Sequence, residues 1–287
     1  MSKVPLIIGR SCRRCVSSSL TATLNALWFY LTFLCLTFKK CSAEVLPTGD
    51  VANFASFKGR QYSTRRVDYN YSSRVTSCPQ QQGGVGPLEI TLPGLEPFEI
   101  LCDYEITGAG YTVIASRSNV ELNFFRNWTE YKRGFGNYSG DFFIGLDKLH
   151  AITKSQPYEL YIHLEDFEGN TRFARYDDFY IESENSLYKL TTLGTYTGDA
   201  GDSLSVNKGF KFSTYDRDND ALDTQNCALE RLGAWWYVDC TRSNLFGMYF
   251  VETSPSSASG MAWYDWRGEN YSYKKMKMLM GPKYICY

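Results

Sequence analysis

Apolar and polar side chains alternate most regularly along Tyr158–Glu165, where Tyr, Leu or Ile recurs at every second position. Because successive side chains on a strand point to opposite faces, this pattern predicts a β-strand with one buried face. Short apolar runs at Phe98–Cys102 and Tyr111–Ala115 predict two further strands. Trp128–Phe135 and Leu146–Ile152 are predicted to form short helices.

The chain beyond Thr195 has a different character. Glycine, asparagine and aspartate interrupt every apolar run there, and neither helical nor strand periodicity persists. The order of elements therefore predicts an α+β fold, in which an antiparallel sheet with few short helices precedes a long irregular region. A long irregular stretch inside a compact domain is usually functional, or is held by disulfides or a metal ion.

The first 43 residues have the layout of an export signal. Leu24–Phe38 is apolar apart from one Asn and two Thr, arginines precede it, and the small residues Cys41–Ala43 follow. This layout predicts a secretory signal peptide that is cleaved after Ala43. The alternative is an uncleaved membrane anchor, because Thr21–Phe38 has 18 residues, near the lower limit for crossing a bilayer.

Composition and charge narrow the functional classes. Tyr, Phe and Trp make up 16% of the chain, which excludes a disordered or coiled-coil protein. Residues 1–43 contain six basic and no acidic side chains, so the remainder has 24 basic and 31 acidic residues and a net charge of −7. A domain with that charge has no electrostatic reason to bind nucleic acid or anionic lipid.

Several features of the remaining chain fit an oxidising, extracellular compartment. The N-x-S/T pattern of glycosylation acceptors is present at Asn70, Asn127, Asn137 and Asn270. The cysteines after the leader are odd in number, which favours two internal disulfides and one further thiol. They are Cys78, Cys102, Cys227, Cys240 and Cys286.

The sequence lacks the common catalytic motifs. It contains no GxSxG elbow, HExxH pair or phosphate-binding P-loop, and His150 and His163 are its two histidines. Adjacent carboxylates such as Glu165 and Asp166 are predicted to point to opposite faces of a strand, where they cannot flank one bond. We therefore expect a protein that is not an enzyme.

One acidic cluster has the spacing of a cation site. Asp216, Asp218 and Asp220 occupy alternate positions, and such a loop can direct its oxygens to one Ca²⁺, which takes six to eight oxygen ligands. It is not an EF-hand, because the sixth position is Ala221 rather than Gly and the twelfth is Cys227 rather than Glu. The alternative interpretation is a solvated acidic turn.

Seven segments, in order along the chain, resemble the fibrinogen C-terminal domain family. They include ILCDYEITGAGYTVIASR (100–117), YELYIHLEDFEGNTRFARY (158–176) and NCALERLGAWWYVDC (226–240). The resemblance implies a fibrinogen-like globule over residues 77–283, preceded by a polar linker at 44–76 and followed by a short tail at 284–287. Fibrinogen globules, ficolins, tachylectins, tenascins and angiopoietins share this domain and use it to bind ligands rather than for catalysis.

The resemblance also implies how the cysteines pair. Cys78 is expected to bond to Cys102, and Cys227 to Cys240. Each disulfide would stabilise the fold by about 2–4 kcal/mol, because it restricts the unfolded chain. Cys286 lies outside the family pattern and either joins two chains or remains free.

The resemblance further implies that calcium is the cofactor. Its ligands are the side chains of Asp218 and Asp220 and backbone carbonyls near Leu222 and Thr224. Asp216 is expected to support these ligands without contacting the ion.

In the family, the ligand pocket lies beside the calcium and around the second disulfide, here residues 233–241. The resemblance implies a cis peptide at Asp239–Cys240, which turns the amides of Cys240 and Thr241 outward as donors for a carbonyl or carboxylate group.

The acetyl-binding lectins of the family surround those amides with His and Tyr side chains, and this chain departs from them. Thr241 replaces the His, Arg231 replaces one Tyr, and Ser257 lies near the position of another. Without those rings an acetyl methyl group has little apolar surface to contact. Arg231 favours an anionic ligand instead.

Two other groups of side chains are interpreted as structural. Five tryptophans are expected in the core, namely Trp128, Trp235, Trp236, Trp263 and Trp266. Three lysines are expected on a solvated edge of the fold, namely Lys274, Lys275 and Lys277.

Two functions follow from these predictions. The first is a secreted, calcium-binding protein that recognises a protein receptor or another extracellular or cell-surface ligand, as angiopoietins and tenascins do. The alternative is a calcium-dependent pattern-recognition lectin of innate immunity for acetylated or anionic glycans. The incomplete acetyl pocket favours the first, and in either case Cys286 could join copies of the chain into a homo-oligomer.

Overall fold

The computed structural model describes residues Val16–Ser17, 75–80, 83–240, 242–251 and 258–285. Several predictions concern residues outside these ranges, namely the apolar leader segment at 24–38, most of the linker, Asn70, Thr241, Ser257 and Cys286. No helix in the described ranges is both long enough and apolar enough to cross a bilayer.

The described residues form many strands and few, short helices. The strands are β1 (Val16–Ser17), β2 (Val85–Ile90), β3 (Phe98–Asp103), β4 (Tyr111–Arg117), β5 (Phe135–Gly136), β6 (Phe142–Phe143), β7 (Tyr158–Glu165), β8 (Thr171–Ile181), β9 (Leu190–Leu193), β10 (Tyr196–Gly198), β11 (Ser243–Asn244), β12 (Ala262–Trp263), β13 (Lys275–Pro282) and β14 (Tyr284–Ile285). The helices are α1 (Trp128–Arg133), α2 (Leu146–Ser155), α3 (Cys227–Glu230) and α4 (Tyr264–Arg267), and 3₁₀ turns span Glu184–Ser186 and Ser205–Asn207.

A central antiparallel sheet is the frame of this α+β fold. Its main path has the order β10-β8-β7-β13-β4-β3-β2, with β6 paired to both β4 and β5, and β9 paired to β8. Two short ladders, β11 with β12 and β1 with β14, lie outside the sheet. The chain from β10 to α4 has little regular structure, as the sequence predicts.

The elements predicted from periodicity are present. Tyr158–Glu165 forms β7 with the predicted bounds, and Leu160, Ile162 and Leu164 on one of its faces are fully buried. The predicted strands at 98–102 and 111–115 extend slightly further, as β3 and β4.

The first helix is fixed at both ends by its own sequence. The side chain of Asn127 accepts a hydrogen bond from the Glu130 amide (2.9 Å), and the Glu130 carboxylate accepts one from the Asn127 amide (3.1 Å). This capping box satisfies donors that the first turn leaves unpaired. Gly134, with φ at +89°, ends α1 two residues before the predicted limit, because this conformation favours glycine.

Lys275 and Lys277 lie on the central strand β13 and Lys274 precedes it, so the predicted edge position is wrong, although all three side chains are partly exposed. β13 is hydrogen-bonded to β7 on one side and to β4 on the other. Lys274 and Lys275 pair with Glu165 at 3.2 and 2.9 Å, and Lys277 Nζ lies 2.8 Å from a carboxylate oxygen of the buried Asp103. The lysines therefore neutralise carboxylates at the ends of β7 and β3.

Four of the five tryptophans belong to the core, as predicted. Trp235, Trp236 and Trp263 are fully buried, and Trp128 is nearly so. Trp236 packs edge-on against Trp235 at 5.2 Å and donates its indole N–H to the carbonyl of Tyr188 (2.8 Å). Trp266 is the exception, because it is only half-buried.

Side chains, rather than strand ladders, satisfy backbone carbonyls in the irregular region. The buried amide of Asn244 donates to the carbonyls of Arg231 (2.9 Å) and Gly260 (3.2 Å), and its oxygen accepts from the Tyr237 hydroxyl (2.7 Å). An unsatisfied buried polar group costs about 1–3 kcal/mol, so these bonds hold three separate segments together.

Arg117, at the end of β4, connects the sheet to the same region. Its guanidinium is buried, lies 4.2 Å from the centre of the Phe124 ring, and donates to the carbonyls of Leu245 (3.2 Å) and Gly247. Burial lowers the pKa of Arg117 to about 10, so the group remains protonated at neutral pH.

Asp166 organises the turn between β7 and β8. It is buried and accepts hydrogen bonds from the backbone amides of Glu168 (3.0 Å) and Asn170 (2.8 Å) and from Arg267 (2.5 Å). Burial by itself raises the pKa of Asp166, but the hydrogen bonds from Asn170 and Arg267 bring that pKa below its ordinary value.

Arg117→Met is expected to destabilise the protein by about 2–4 kcal/mol, because two buried carbonyls lose their donor. Urea unfolding measures the change. Arg126→Met is the matched control, since Arg126 also lies over a phenylalanine ring, at 4.7 Å from Phe135, but is partly exposed and bonded to Glu130. It is expected to cost less than about 1 kcal/mol. Equal losses in the two variants would contradict the role of Arg117.

Asp166→Asn is expected to cost stability that depends on pH. A carboxyl group whose folded-state pKa is lowered stabilises the fold above its unfolded pKa of about 4, and this contribution is lost as the pH falls. The difference in free energy of unfolding between the natural chain and Asp166→Asn should therefore be full at pH 6 and shrink below about pH 4. Urea titrations at intervals from pH 6 to pH 2.5 test this, and a constant difference would refute it.

Candidate functional site

The loop that contains Asp216, Asp218 and Asp220, here called the acidic loop, follows Phe212. The backbone carbonyl of Phe212 accepts a hydrogen bond from the Asn219 side chain (2.8 Å). Asp216 is committed to the protein, since one of its oxygens accepts from the backbone amide of Trp128 (2.9 Å) and from the hydroxyl of Thr214 (2.7 Å). Asp216 therefore holds the loop against the start of α1. Among the described residues, no hydrogen bond joins it to Asp218 or Asp220.

Asp218 and Asp220 are brought together by the loop. An oxygen of Asp218 accepts a hydrogen bond from the Asp220 amide (3.2 Å), and the two oxygens of Asp220 accept from the amides of Leu222 and Cys227, each at 2.8 Å. Burial raises the pKa of Asp220, and the adjacent negative charge of Asp218 raises it further, against the two backbone hydrogen bonds. Asp218 therefore disfavours ionisation of the neighbouring Asp220.

The nearest basic residue in sequence does not neutralise them. Arg217 lies over the Trp128 ring at 4.2 Å, and its guanidinium is 3.7 Å from Glu184. Across the described ranges, no lysine or arginine forms an ion pair with Asp218 or Asp220. This leaves the two carboxylates available to a cation.

Oxygen ligands for a hard cation would have to come from backbone carbonyls as well as from the Asp218 and Asp220 side chains. Among the described residues, no group of three or more His, Cys, Asp and Glu side chains is arranged to hold a metal ion. The carbonyls of Leu222 and Thr224 accept no hydrogen bond from any described residue, so both can serve as oxygen ligands. Two carboxylates, two carbonyls and water would give the oxygen-only set that Ca²⁺ prefers.

Both disulfides implied by the resemblance are formed, Cys78–Cys102 and Cys227–Cys240. The second one ties α3 to the loop that follows Trp236. Asn226 caps α3, because its side-chain oxygen accepts from the amides of Ala228 (2.9 Å) and Leu229 (3.2 Å). The cap and the disulfide together set the position of the pocket region.

The expected cis peptide at Asp239–Cys240 is wrong. Across the described residues every peptide bond is trans, and Cys240 instead adopts a left-handed conformation with φ at +65°. In this geometry the Cys240 amide points inward and donates to the Sγ of Cys227 (2.9 Å). The outward donor that the resemblance implies at Cys240 is therefore absent.

Arg231 is held by the protein rather than extended into solvent. Its guanidinium donates to the carbonyl of Ala258 (3.2 Å) and lies 4.0 Å from the Glu269 carboxylate. The side chain is 21% exposed, and its charge is partly compensated by Glu269. Asp239 is exposed, whereas Thr241 and Ser257 lie outside the described residues.

The sequence reasoning missed an apolar rim next to the second disulfide. Leu229 is 50% exposed on α3, and Leu232, just after α3, is 36% exposed with φ at +47°. A single turn of helix is too short to show amphipathic periodicity, so no sequence pattern identified these leucines as surface residues.

The glycosylation acceptors that the structure describes differ in their surroundings. Asn137 and Asn270 are exposed, while Asn127 is half-buried and caps α1 through its side-chain oxygen.

The histidines have structural contacts or partial burial. His150 Nδ1 lies 2.9 Å from the Ile181 carbonyl, and burial lowers the pKa of His163.

Known proteins match most of this chain. Residues 83–283 match the family described as fibrinogen beta and gamma chains, C-terminal globular domain. Human tenascin-R is 41% identical over 199 residues, which are 69% of this chain and 14% of tenascin-R. Mouse microfibril-associated glycoprotein 4 is 44% identical over 187 residues, which are 63% of this chain and 72% of that protein. The chain thus corresponds to a small part of tenascin-R.

Solved structures agree with this match. The fibrinogen-like globe domain of human ANGPTL2 superposes with a TM-score of 0.67 at 37% identity, covering 70% of this chain and 93% of that one. Lamprey fibrin D-dimer, complexed with the peptide ligand Gly-His-Arg-Pro-amide, superposes with a TM-score of 0.66 at 30% identity, covering 70% of each chain. Fold, disulfides and sequence match together identify the chain as a member of the fibrinogen C-terminal domain family.

Proposed function

We propose that this chain is a secreted, non-catalytic recognition protein that binds Ca²⁺ through Asp218 and Asp220 and binds a protein partner at the rim beside the Cys227–Cys240 disulfide. The observation that carries the proposal is the pair of adjacent carboxylates without a basic partner, next to that bridged loop. Bound calcium would neutralise the two carboxylates and fix the acidic loop.

The surface next to the acidic loop favours a protein ligand over an acetylated sugar. Leu229 and Leu232 expose apolar area, which a folded partner can bury, whereas the inward Cys240 amide removes a donor for an acetyl carbonyl. A peptide ligand is present in the lamprey fibrin structure that this chain resembles. Partners of this kind are extracellular, in agreement with the leader and the exposed acceptors Asn137 and Asn270.

Two aspects of the proposal rest on sequence alone. Secretion follows from the leader over residues 1–43, with an uncleaved anchor as the alternative. A homo-oligomer through Cys286 would raise the avidity for a cell-surface receptor, since two linked domains can bind at once.

Calcium binding is expected to depend on the carboxylate pair. Calorimetric titration of the purified mature chain should give saturable binding of one Ca²⁺, and Asp218→Asn/Asp220→Asn should abolish it, because the two charged ligands are lost. Asp223→Asn is the matched control, since Asp223 is an exposed aspartate of the same loop. Its affinity should stay within about twofold of the natural chain. A natural chain that binds no calcium would overturn the metal part of the proposal.

The leucine rim is expected to carry receptor binding. Leu229→Ser/Leu232→Ser should weaken saturable binding to receptor-bearing cells at least about tenfold, because burial of two leucines contributes more than about 1.4 kcal/mol. Val120→Ser, at a residue that is 64% exposed, is the control and should leave binding unchanged.

A glycan array distinguishes the alternative function. For a protein ligand we expect no chelator-sensitive binding to the glycan array. We also expect that the natural chain binds receptor-bearing cells and that Leu229→Ser/Leu232→Ser loses this binding. Array binding to acetylated or anionic glycans that is abolished by chelator would instead establish the calcium-dependent lectin and refute the protein-binding function.

A further inference from the structure

A long groove runs past the half-buried Trp266, and none of the acidic-loop or disulfide residues line it. One hollow of about 500 Å³ is lined by Asn170, Thr171, Arg172, Asp199, Trp266 and Arg267. A second, of about 430 Å³, includes Tyr161, His163 and Phe173 in its lining. The two hollows share Thr171, Arg172 and Asp199, so they adjoin each other at the start of β8. We call the two together the Trp266 groove.

Aromatic rings lie at two points along the Trp266 groove. Trp266 packs on the buried Tyr273, with ring centres 5.0 Å apart, and the guanidinium carbon of Arg172 lies 5.0 Å from the Trp266 ring centre. Tyr161 and Phe173, on the adjacent strands β7 and β8, are stacked with centres 5.1 Å apart and planes 6° from parallel. The lining of the groove therefore includes half-buried aromatic rings at two places, Trp266 and the Tyr161–Phe173 pair, which we call its two aromatic platforms.

The walls of the groove are fixed by bonds within the protein. Arg267 lies 2.5 Å from the buried Asp166 and also pairs with Glu168. One oxygen of Asp199 accepts from the Phe173 amide (2.8 Å), and Arg172 donates to the Asp199 carbonyl (3.3 Å). A ligand would thus meet a largely preformed surface, which reduces the ordering cost of binding.

Polar groups in the groove remain uncommitted. Among the described residues, the Tyr161 hydroxyl, the His163 ring, the Trp266 indole N–H and the second Asp199 oxygen have no hydrogen-bond partner. These groups include donors and acceptors, as do the hydroxyl groups of a sugar.

The groove has no excess of positive charge. Arg172 and Arg267 are offset by Asp199 and Glu105, which also lines the second hollow, and Arg267 is already paired with Asp166 and Glu168. Burial lowers the pKa of His163, so its ring is neutral at pH 7. Without surplus positive charge the groove favours an uncharged ligand over a polyanion.

We infer that the Trp266 groove is a binding site for an uncharged oligosaccharide of at least two pyranose units, one on each aromatic platform. Aromatic surface with a few oriented polar groups is the usual lining of a small-molecule site. The site does not rest on the proposed function, because it uses neither calcium nor the leucine rim.

The test measures binding of three unacetylated tetrasaccharides, cellotetraose, laminaritetraose and α-1,6-mannotetraose, to the mature chain by tryptophan fluorescence and calorimetry. At least one should bind saturably and quench the fluorescence, with an affinity that excess chelator leaves unchanged. A heparin tetrasaccharide should bind at least tenfold more weakly. Failure of all three neutral probes, or preference for heparin, would overturn the inference.

Variants locate the binding. Arg172→Gln, at an exposed residue, and Trp266→Leu should each weaken binding at least tenfold. Tyr264→Leu, on the same helix as Trp266 and 46% exposed outside the groove, is the matched control and should bind as the natural chain does. Thermal unfolding verifies that the variants fold. If Trp266→Leu fails to fold, Arg172→Gln alone still decides the test. Binding that both variants retain, or that chelator removes, would place the sugar elsewhere and refute the site.

Discussion

The buried guanidinium of Arg117 joins the regular and irregular parts of the protein. On the sheet side it belongs to β4, and on the other it holds two carbonyls of a loop that has no strand partner for them. Asn244 acts in the same way between Arg231 and Gly260. Hydrogen bonds are directional and costly to leave unmade in the interior, so these side chains specify one conformation where hydrophobic packing alone would tolerate several.

Asp218 and Asp220 in the acidic loop differ from three buried carboxylates elsewhere in the fold, which have basic partners. Asp103, Glu159 and Asp166 are all buried, and each has a basic partner, Lys277, Arg175 and Arg267 respectively. Asp218 and Asp220 are the opposite case, adjacent to each other and without a cation from the described chain. In the Trp266 groove the arginines are again offset by carboxylates. Asp216 has no basic partner either, but its hydrogen bonds to Trp128 and Thr214 commit it to the fold.

Periodicity predicted β7 but not every periodic strand. β7 alternates strictly, so its bounds could be read from the sequence, whereas β13 alternates lysine with buried methionine and looked like a solvated edge. The irregular region has no period, and its geometry depends on contacts between distant residues such as Arg117 and Leu245. For that reason the family resemblance supplied the disulfides but failed at Cys240, where one left-handed residue turns the amide inward.

The place of β13 in the sheet determines the order in which the fold can be completed. β13 joins β7 to β4, and Lys275 pairs with Glu165, 110 residues earlier in the chain. During synthesis on a ribosome, the strands β10-β8-β7 and β4-β3-β2 are therefore made as two separate groups, each with an open edge. Open edges can pair with other chains, and pairing over long sequence separation is slow. Those two edges have no strand partner until β13 has been made.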